Sequence, residues 1–493
     1  MQNWAVPFGR FSIKSTKVFT QISFFAVLIF LPLTTLHARG ASEVVRKQAL
    51  AMAMNGKEIG QIAQEERHSK TEIVVEKKEH IAFERSGTKV EMNTSMRTVA
   101  NSQGIPLHFR YTRTDKSGLF EVKGQILGGT MRVTTSTGGS VVKNEVELPP
   151  GARFYSTFSS QLSRRLGTID ETVPLWIEEL SIVEPVHFKM QKTREHCPKK
   201  ATCFLLKESF RSFVTESVLD DKGVLIFGKT EAVNTVVWPL NQKPPPEVKE
   251  GTADLMQQTT WPAPEVSHEP RRVRFRVTMK DALSFHIPED SRQRVVGRTT
   301  STVDIEVRGL RSTHGPLRKS EKDRFLAETP YEATSDKRLI EAARKAVGNA
   351  TSNREKVSLL NAFVHDHIEA QTLDRGYAPA VVTLEEKQGD CTEHAVLLSA
   401  LLRTQGIPTR LVDGVVITGG MVGYHQWVEV QIDDVGMFPA DPTFGEFPAT
   451  TRRLKLAEGA SDAEGLMDLG MAAARILRAG TRIEVLEIDD RRY

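Results

Sequence analysis

The chain has three cysteines, and Cys391 is the one whose neighbours read as chemistry. It stands in Gly389-Asp-Cys-Thr-Glu-His-Ala, ahead of the apolar run Val396-Leu-Leu-Ser-Ala-Leu-Leu and the stop Gly406-Ile-Pro. Asp390 followed three residues later by Glu393 is a capping-box start, and Gly406 before Pro408 ends a helix. Cys391 is therefore expected in a first helical turn. There, unpaired amide hydrogens and the positive end of the helix favour thiolate over thiol and can hold a developing oxyanion.

A thiolate nucleophile needs a base that takes its proton and returns it to a leaving amine. Two histidines compete for that part. His394 lies three residues along the same helix, whereas His425 lies in Tyr424-His-Gln-Trp-Val-Glu-Val, whose alternation reads as a strand. A strand fixes a ring more rigidly than a surface position in a first turn. After His425 the chain runs through Val428-Glu-Val-Gln-Ile, turns at Asp433-Asp434 and returns to Asp441-Pro-Thr. As a hairpin this brings Asp441 to within a residue or two of His425 in register. Asp441 before Pro442 is, alone, an ordinary turn starter. With Cys391 and His425 it completes a catalytic triad, in which the carboxylate sets the imidazole tautomer and steadies the imidazolium. Glu393 reads as the helix cap, Trp427 as packing, and Tyr377 as a border of the site. Neither a phosphate-binding glycine loop nor a Gly-x-Ser-x-Gly elbow is present, and the proposed chemistry calls for no cofactor and no metal.

Taken in order, Gly-Asp-Cys-Thr-Glu-His-Ala at 389–395, Gly-Ile-Pro-Thr-Arg at 406–410, His-Gln-Trp-Val-Glu-Val at 425–430 and Asp-Pro-Thr at 441–443 resemble the core of the bacterial transglutaminase-like superfamily. The resemblance covers roughly 330–447. It implies a papain-like α+β scaffold, amide chemistry through a thioester, and the roles of nucleophile, base and carboxylate at Cys391, His425 and Asp441. It leaves open whether the thioester goes to water or to an amine, and Gln426 stands where the family often has a smaller residue.

The elements that must carry these residues follow from periodicity. Pro330 onward is helical: Leu339, Ile340, Ala343 and Val347 after Ser335-Asp336, then Val357, Leu360, Val364 and Ile368 from Asn353. His365 and His367, two apart on that second helix, point to different faces and are not a metal pair. From about 56 to 237 the chain reads as short strands, among them Thr71–Glu76, His80–Phe83, Lys89–Met92, Leu107–Thr112, Leu119–Ile126, Met131–Thr135 and Val141–Val146, with no comparable helix. The expected architecture is multidomain: a β-rich region at 42–240, a meander or open barrel-like sheet; a proline-rich linker at 241–270; a small β segment at 271–320; and the α+β domain at 321–493. Arg271, Arg272, Arg274 and Arg276 read as one solvated strand face.

Arg10, Lys14 and Lys17 precede an apolar run from Ile22 to Leu33, an export pattern of about a dozen residues, short for a membrane span. Residues 1–38 are thus expected to be a signal peptide cleaved after Ala38 or, since Leu36 is large for the position, a retained anchor in the inner membrane. The rest of the chain is expected in the periplasm or cell envelope. There an unpaired thiol calls for an explanation, while Cys197 and Cys203 either pair with each other or join His196 on a zinc ion that lacks a fourth ligand. A formal charge of +4 over 493 residues does not point to nucleic acid. The expected partner is a protein or peptide substrate; the alternative is a non-enzymatic envelope-binding protein that uses its β-rich half.

Overall fold

The computed structural model describes residues 36–39 and 43–493 apart from 212, 257, 258, 281, 310–314, 376, 434 and 479. The export segment read at 10–33 lies outside the described residues.

Strands with alternating polarity must bury one face, and the β-rich region does so by curling. Its 16-stranded sheet consists of two meanders, one from Glu43–Met54 to Ser140–Glu147 and one from Arg153–Phe154 to Thr235–Pro239. They are joined by Thr235–Pro239 lying antiparallel on Glu43–Met54, with Trp238 opposite Ala51. Inside the curl lies a helix, Tyr155–Leu162, whose Tyr155, Phe158 and Leu162 pack with Met52, Ile62 and Phe83 of the first meander and Phe188 and Leu206 of the second. The expected open, barrel-like sheet is therefore present.

Two local readings are corrected. The strands read at Thr71–Glu76 and His80–Phe83 are one strand, Glu72–Arg85, because the polar stretch between them is satisfied inside the molecule: Lys77 meets Glu179 at 2.8 Å and Glu79 at 3.1 Å. The inner helix was not expected, since Tyr-Ser-Thr-Phe-Ser-Ser-Gln-Leu is poor in strong helix formers and no side chain caps it.

The C-terminal half holds two smaller sheets. One orders Gln293–Arg298, Thr302–Arg308, Arg272–Thr278, Arg482–Ile488 and Arg491–Arg492, so the end of the chain returns to complete the segment read as 271–320. Its arginines are paired along the sheet, Arg276 with Asp304 at 2.7 Å and Arg272 with Glu487 at 2.5 Å. The other sheet orders Thr260–Pro262, Met421–Ile432, Thr409–Thr418 and Arg453–Gly459, with Gly436–Ala440 also on Met421–Ile432. The stretch read as a linker thus contributes an edge strand through Thr260–Pro262. Against this sheet pack the helices Cys391–Thr404 and Asn353–His367, with Lys337–Val347 packed on those two helices, and every residue from Cys391 to Arg403 is buried. Among the described residues no helix is long and apolar enough to cross a membrane. Cys197 and Cys203 are joined in a disulfide, so their sulfurs are not zinc ligands.

Candidate active site

The start of the helix Cys391–Thr404 is built as its sequence requires. Asp390 Oδ1 accepts the Thr392 amide at 2.9 Å, and Glu393 Oε2 accepts the Asp390 amide at 2.9 Å, so two otherwise unmatched donors are satisfied reciprocally. Glu393 Oε1 also takes the Ala378 amide at 3.1 Å, which ties the incoming segment to the helix start. Only glycine fits at 389, where a Cβ would lie 2.3 Å from the Glu393 Cβ. Burial and the neighbouring Asp390 push the Glu393 carboxyl up to about 8.

Cys391 is the free cysteine and is 2% exposed. The backbone amide of Gln426, the residue that follows His425, lowers the pKa of the Cys391 thiol against the effect of burial. His425 and Asp441 are fully buried, and His425 Nε2 donates to Asp441 Oδ2 at 2.7 Å. The hairpin delivers this contact as expected: Val428 pairs with Ala440, one residue before Asp441. The other ring nitrogen, Nδ1, has no hydrogen-bond partner among the described residues. The ring lies between Trp427, stacked at 6.1 Å, and Phe444, edge-on at 5.4 Å.

His394, the rival base, is spent on its own helix. Its Nδ1 donates to the Asp390 carbonyl oxygen at 2.6 Å, and burial lowers its pKa to about 4. His365 and His367 go to backbone carbonyls, of Pro442 at 3.0 Å and Leu384 at 2.7 Å. Tyr377 is buried and stacks edge-on with Tyr331 at 4.7 Å.

One expectation is reversed. The position of Cys391 at a helix start was expected to favour thiolate, but burial first, and the charge of Asp390 next, push the thiol well above its ordinary range. A helix terminus contributes at most about 2 kcal/mol, whereas desolvating an ion costs several kcal/mol. The Gln426 amide offsets only part of this. Burial thus favours the thiol over the thiolate at Cys391.

The sequence did not reveal the groups that hold the carboxylates. Burial would raise the pKa of Asp441, but Arg453 and His425 outweigh it and hold the carboxyl well below the usual range. Arg453 Nε reaches Asp441 Oδ2 at 2.6 Å and its Nη1 reaches Glu446 at 2.7 Å. Gln426 spends its side chain on the neighbouring strand, donating to Asp413 Oδ1 at 2.6 Å, and the Tyr424 hydroxyl donates to Asp413 Oδ2. Burial pushes Asp413 up to about 6 against those two hydrogen bonds.

Residues 340–442 match the model of the transglutaminase-like superfamily. This segment is a transglutaminase-like domain. The matched span contains Cys391, His425 and Asp441 and stops one residue after the last; Arg453 falls beyond it. No curated protein matches the chain. Among solved structures, a candidate cysteine protease from Cytophaga hutchinsonii is similar at 14% identity and TM-score 0.33, over 46% of this chain and 95% of that one. A β-barrel-like protein of the family DUF1849 from Brucella abortus aligns at 8% identity and TM-score 0.32, over 40% of this chain and 93% of that one. A candidate protease from Parabacteroides distasonis aligns at 11% identity and TM-score 0.21, over 78% of this chain and 64% of that one. The transglutaminase-like domain thus follows a large β-rich region, the order expected from the sequence.

Proposed function

We propose that the protein is an exported cysteine-dependent enzyme acting on amide bonds of a protein or peptide. The observation that carries this reading is the His425–Asp441 hydrogen bond, which leaves Nδ1 without a partner among the described residues, on a ring one residue from the amide that lowers the pKa of the Cys391 thiol. In the proposed reaction the Cys391 sulfur attacks the substrate carbonyl carbon while His425 takes the thiol proton. His425 then gives that proton to the leaving amine, and a thioester remains. Water or a second amine attacks the thioester, His425 again serving as base, and the thiol is regenerated. Because burial disfavours the thiolate, the reaction depends on a base to take the thiol proton. Asp441, fixed by Arg453, keeps the imidazole in the tautomer that accepts at Nδ1. The Cys197–Cys203 disulfide supports placement outside the cytoplasm.

The test is a trap. Envelope extract is mixed with the protein and quenched in acid, and the Cys391 peptide is examined by mass spectrometry. An acyl adduct present in wild type and absent from Cys391→Ala is expected. If no adduct forms and Cys391→Ala keeps the protein's biological effect, the enzyme reading fails in favour of an envelope-binding protein.

A further inference from the structure

Asp390 has a second contact beyond capping. Its Oδ2 receives Arg85 Nη2 at 2.7 Å, an ion pair between side chains each 5% exposed and 305 residues apart in sequence. Arg85 ends the strand Glu72–Arg85 of the curled sheet, so a residue of the β-rich region reaches the position next to the Cys391 sulfur. The same guanidinium donates through Nη1 to the Arg375 carbonyl oxygen at 2.5 Å. Three residues further on, Ala378 gives its amide to Glu393, so the pair fixes both sides of the helix start. The hairpin tip that presents Arg85 is itself held, with the Glu84 amide donating to the Ala253 carbonyl at 2.8 Å and the Leu255 amide to the Glu84 carbonyl at 3.0 Å. Two more cations of the sheet reach the same incoming segment: Lys116 meets Asp374 at 2.7 Å, and Arg113 donates to the Tyr377 carbonyl at 3.3 Å.

The charges around the sulfur make the pair consequential. Its own helix offers Asp390 and Glu393, which both raise the pKa of the thiol; the strand that carries His425 offers the Gln426 amide and Tyr424, the latter tied to Asp413. Beyond the ring lies Asp441, matched by Arg453. Each of the two aspartates flanking the reacting groups thus has one arginine, Arg453 from within the C-terminal half and Arg85 from the sheet.

We propose that Arg85 is a positioning residue of the Cys391 centre: by binding the Asp390 carboxylate and the Arg375 carbonyl it cancels the negative charge of the cap beside the sulfur and holds Arg375 against the helix start. The β-rich region then completes the site rather than merely preceding it. The consequence for turnover rests on the reading of Cys391 as nucleophile, whereas the effect on the thiol rests on the ion pair alone.

The test reads the thiol rather than turnover. Alkylation of Cys391 in the full-length protein by iodoacetamide is followed by intact mass between pH 6 and 11, the other two cysteines being in a disulfide. Arg85→Met is expected to raise the midpoint by about one pH unit, as loss of a close opposite charge does, and Arg85→Lys to restore most of it. In an Asp390→Asn background, which keeps the cap without its charge, Arg85→Met is expected to move the midpoint by less than about a third as much. A midpoint that stays or falls in Arg85→Met, or an equal shift in both backgrounds, overturns the proposal. If Arg85→Met does not give a wild-type far-ultraviolet spectrum, Arg85→Gln replaces it in the same pair of backgrounds. The alkylation comparison stands even if the wild-type protein forms no acyl adduct, so failure of the enzyme reading and failure of this one are separable.

Discussion

Asp441 shows how much a single side chain is asked to do. One oxygen, Oδ2, accepts from both His425 Nε2 and Arg453 Nε, and the other accepts the Thr443 amide at 3.0 Å. An asparagine has the same shape but only one accepting atom, so it cannot serve the imidazole, the guanidinium and the Thr443 amide together. Asp441→Asn is therefore expected to fold and to lose roughly 10³–10⁴-fold in the rate of Cys391 acylation, by analogy with triads whose carboxylate is replaced by its amide. The burst of p-nitrophenol from p-nitrophenyl acetate measures that rate without knowledge of the substrate. A variant within tenfold of wild type would remove Asp441 from the mechanism. The elements that carry Cys391, His425 and Asp441 were legible in the sequence because their cues are local: a capping box, an alternating strand and a hairpin. Its electrostatic partners were not. Arg453 sits in Thr-Thr-Arg-Arg-Leu-Lys-Leu, which looks like a solvated strand, and Arg85 lies 305 residues from the aspartate it meets. The thiol was misjudged because a helix terminus is visible in a sequence and burial is not.

The strand that carries His425 depends on a glycine across from it. Gly414 pairs with His425 in register, and a Cβ there would lie 2.0 Å from the Leu454 carbonyl oxygen and 2.8 Å from the Trp427 ring. Backbone on one side and the ring that stacks on His425 on the other leave nowhere for a methyl to go. Gly414→Ala is expected to destabilise the fold by about 1–3 kcal/mol, the usual range for overpacking, and to displace Trp427. Gly406→Ala is the control: its φ of 73° is unfavourable for alanine, but nothing lies near its Cβ position, so about 1 kcal/mol is expected. Urea midpoints and tryptophan emission check both, and equal effects would mean that the close approach at Gly414 is not what matters. The helices Lys337–Val347, Asn353–His367 and Cys391–Thr404 and the hairpin that carries His425 were readable from their spacing, whereas the helices Lys319–Leu326, Ala380–Glu386 and Ala463–Leu477 were not. The strands that cross between segments were not: Thr260–Pro262 joins Met421–Ile432, and Arg482–Ile488 joins Arg272–Thr278 with Thr278 opposite Arg482. Pairing over such separations leaves no local pattern, so a proline-rich stretch and a chain end gave no hint of it.

At the scale of the whole molecule, the β-rich region and the transglutaminase-like domain share a core, in which Phe109, Phe120 and Trp176 of the sheet belong with Leu339, Val364 and Leu397 of the helices. Composition could place a boundary near 240 but could not show that the two sides bury each other. Nor could it show that the interior of the sheet holds carboxyl groups. Glu208, 1% exposed, accepts the Tyr155 hydroxyl at 2.7 Å; burial pushes its carboxyl up to about 7 against that hydrogen bond. Glu178, deeper still, is pushed to about 7 by burial and the nearby Glu179. A group whose folded pKa is raised binds its proton more tightly in the native state. Its stabilisation is full below about 4.5, the unfolded value, and is lost as pH rises to about 7. His394, lowered by burial to about 4, works the other way, losing stability as pH falls below 6.5. The net slope therefore mixes signs, and a difference between two proteins isolates one group. Glu208→Gln keeps a neutral side chain of the same shape at every pH, so the loss of unfolding free energy between pH 5 and pH 8 is expected to be smaller than in wild type, by on the order of 3 kcal/mol at most. Urea unfolding at the two pH values decides it: parallel losses in the two proteins would mean that Glu208 is ionised inside the sheet, and that its oxygens meet a charge or a solvent path that the burial of the residue does not suggest.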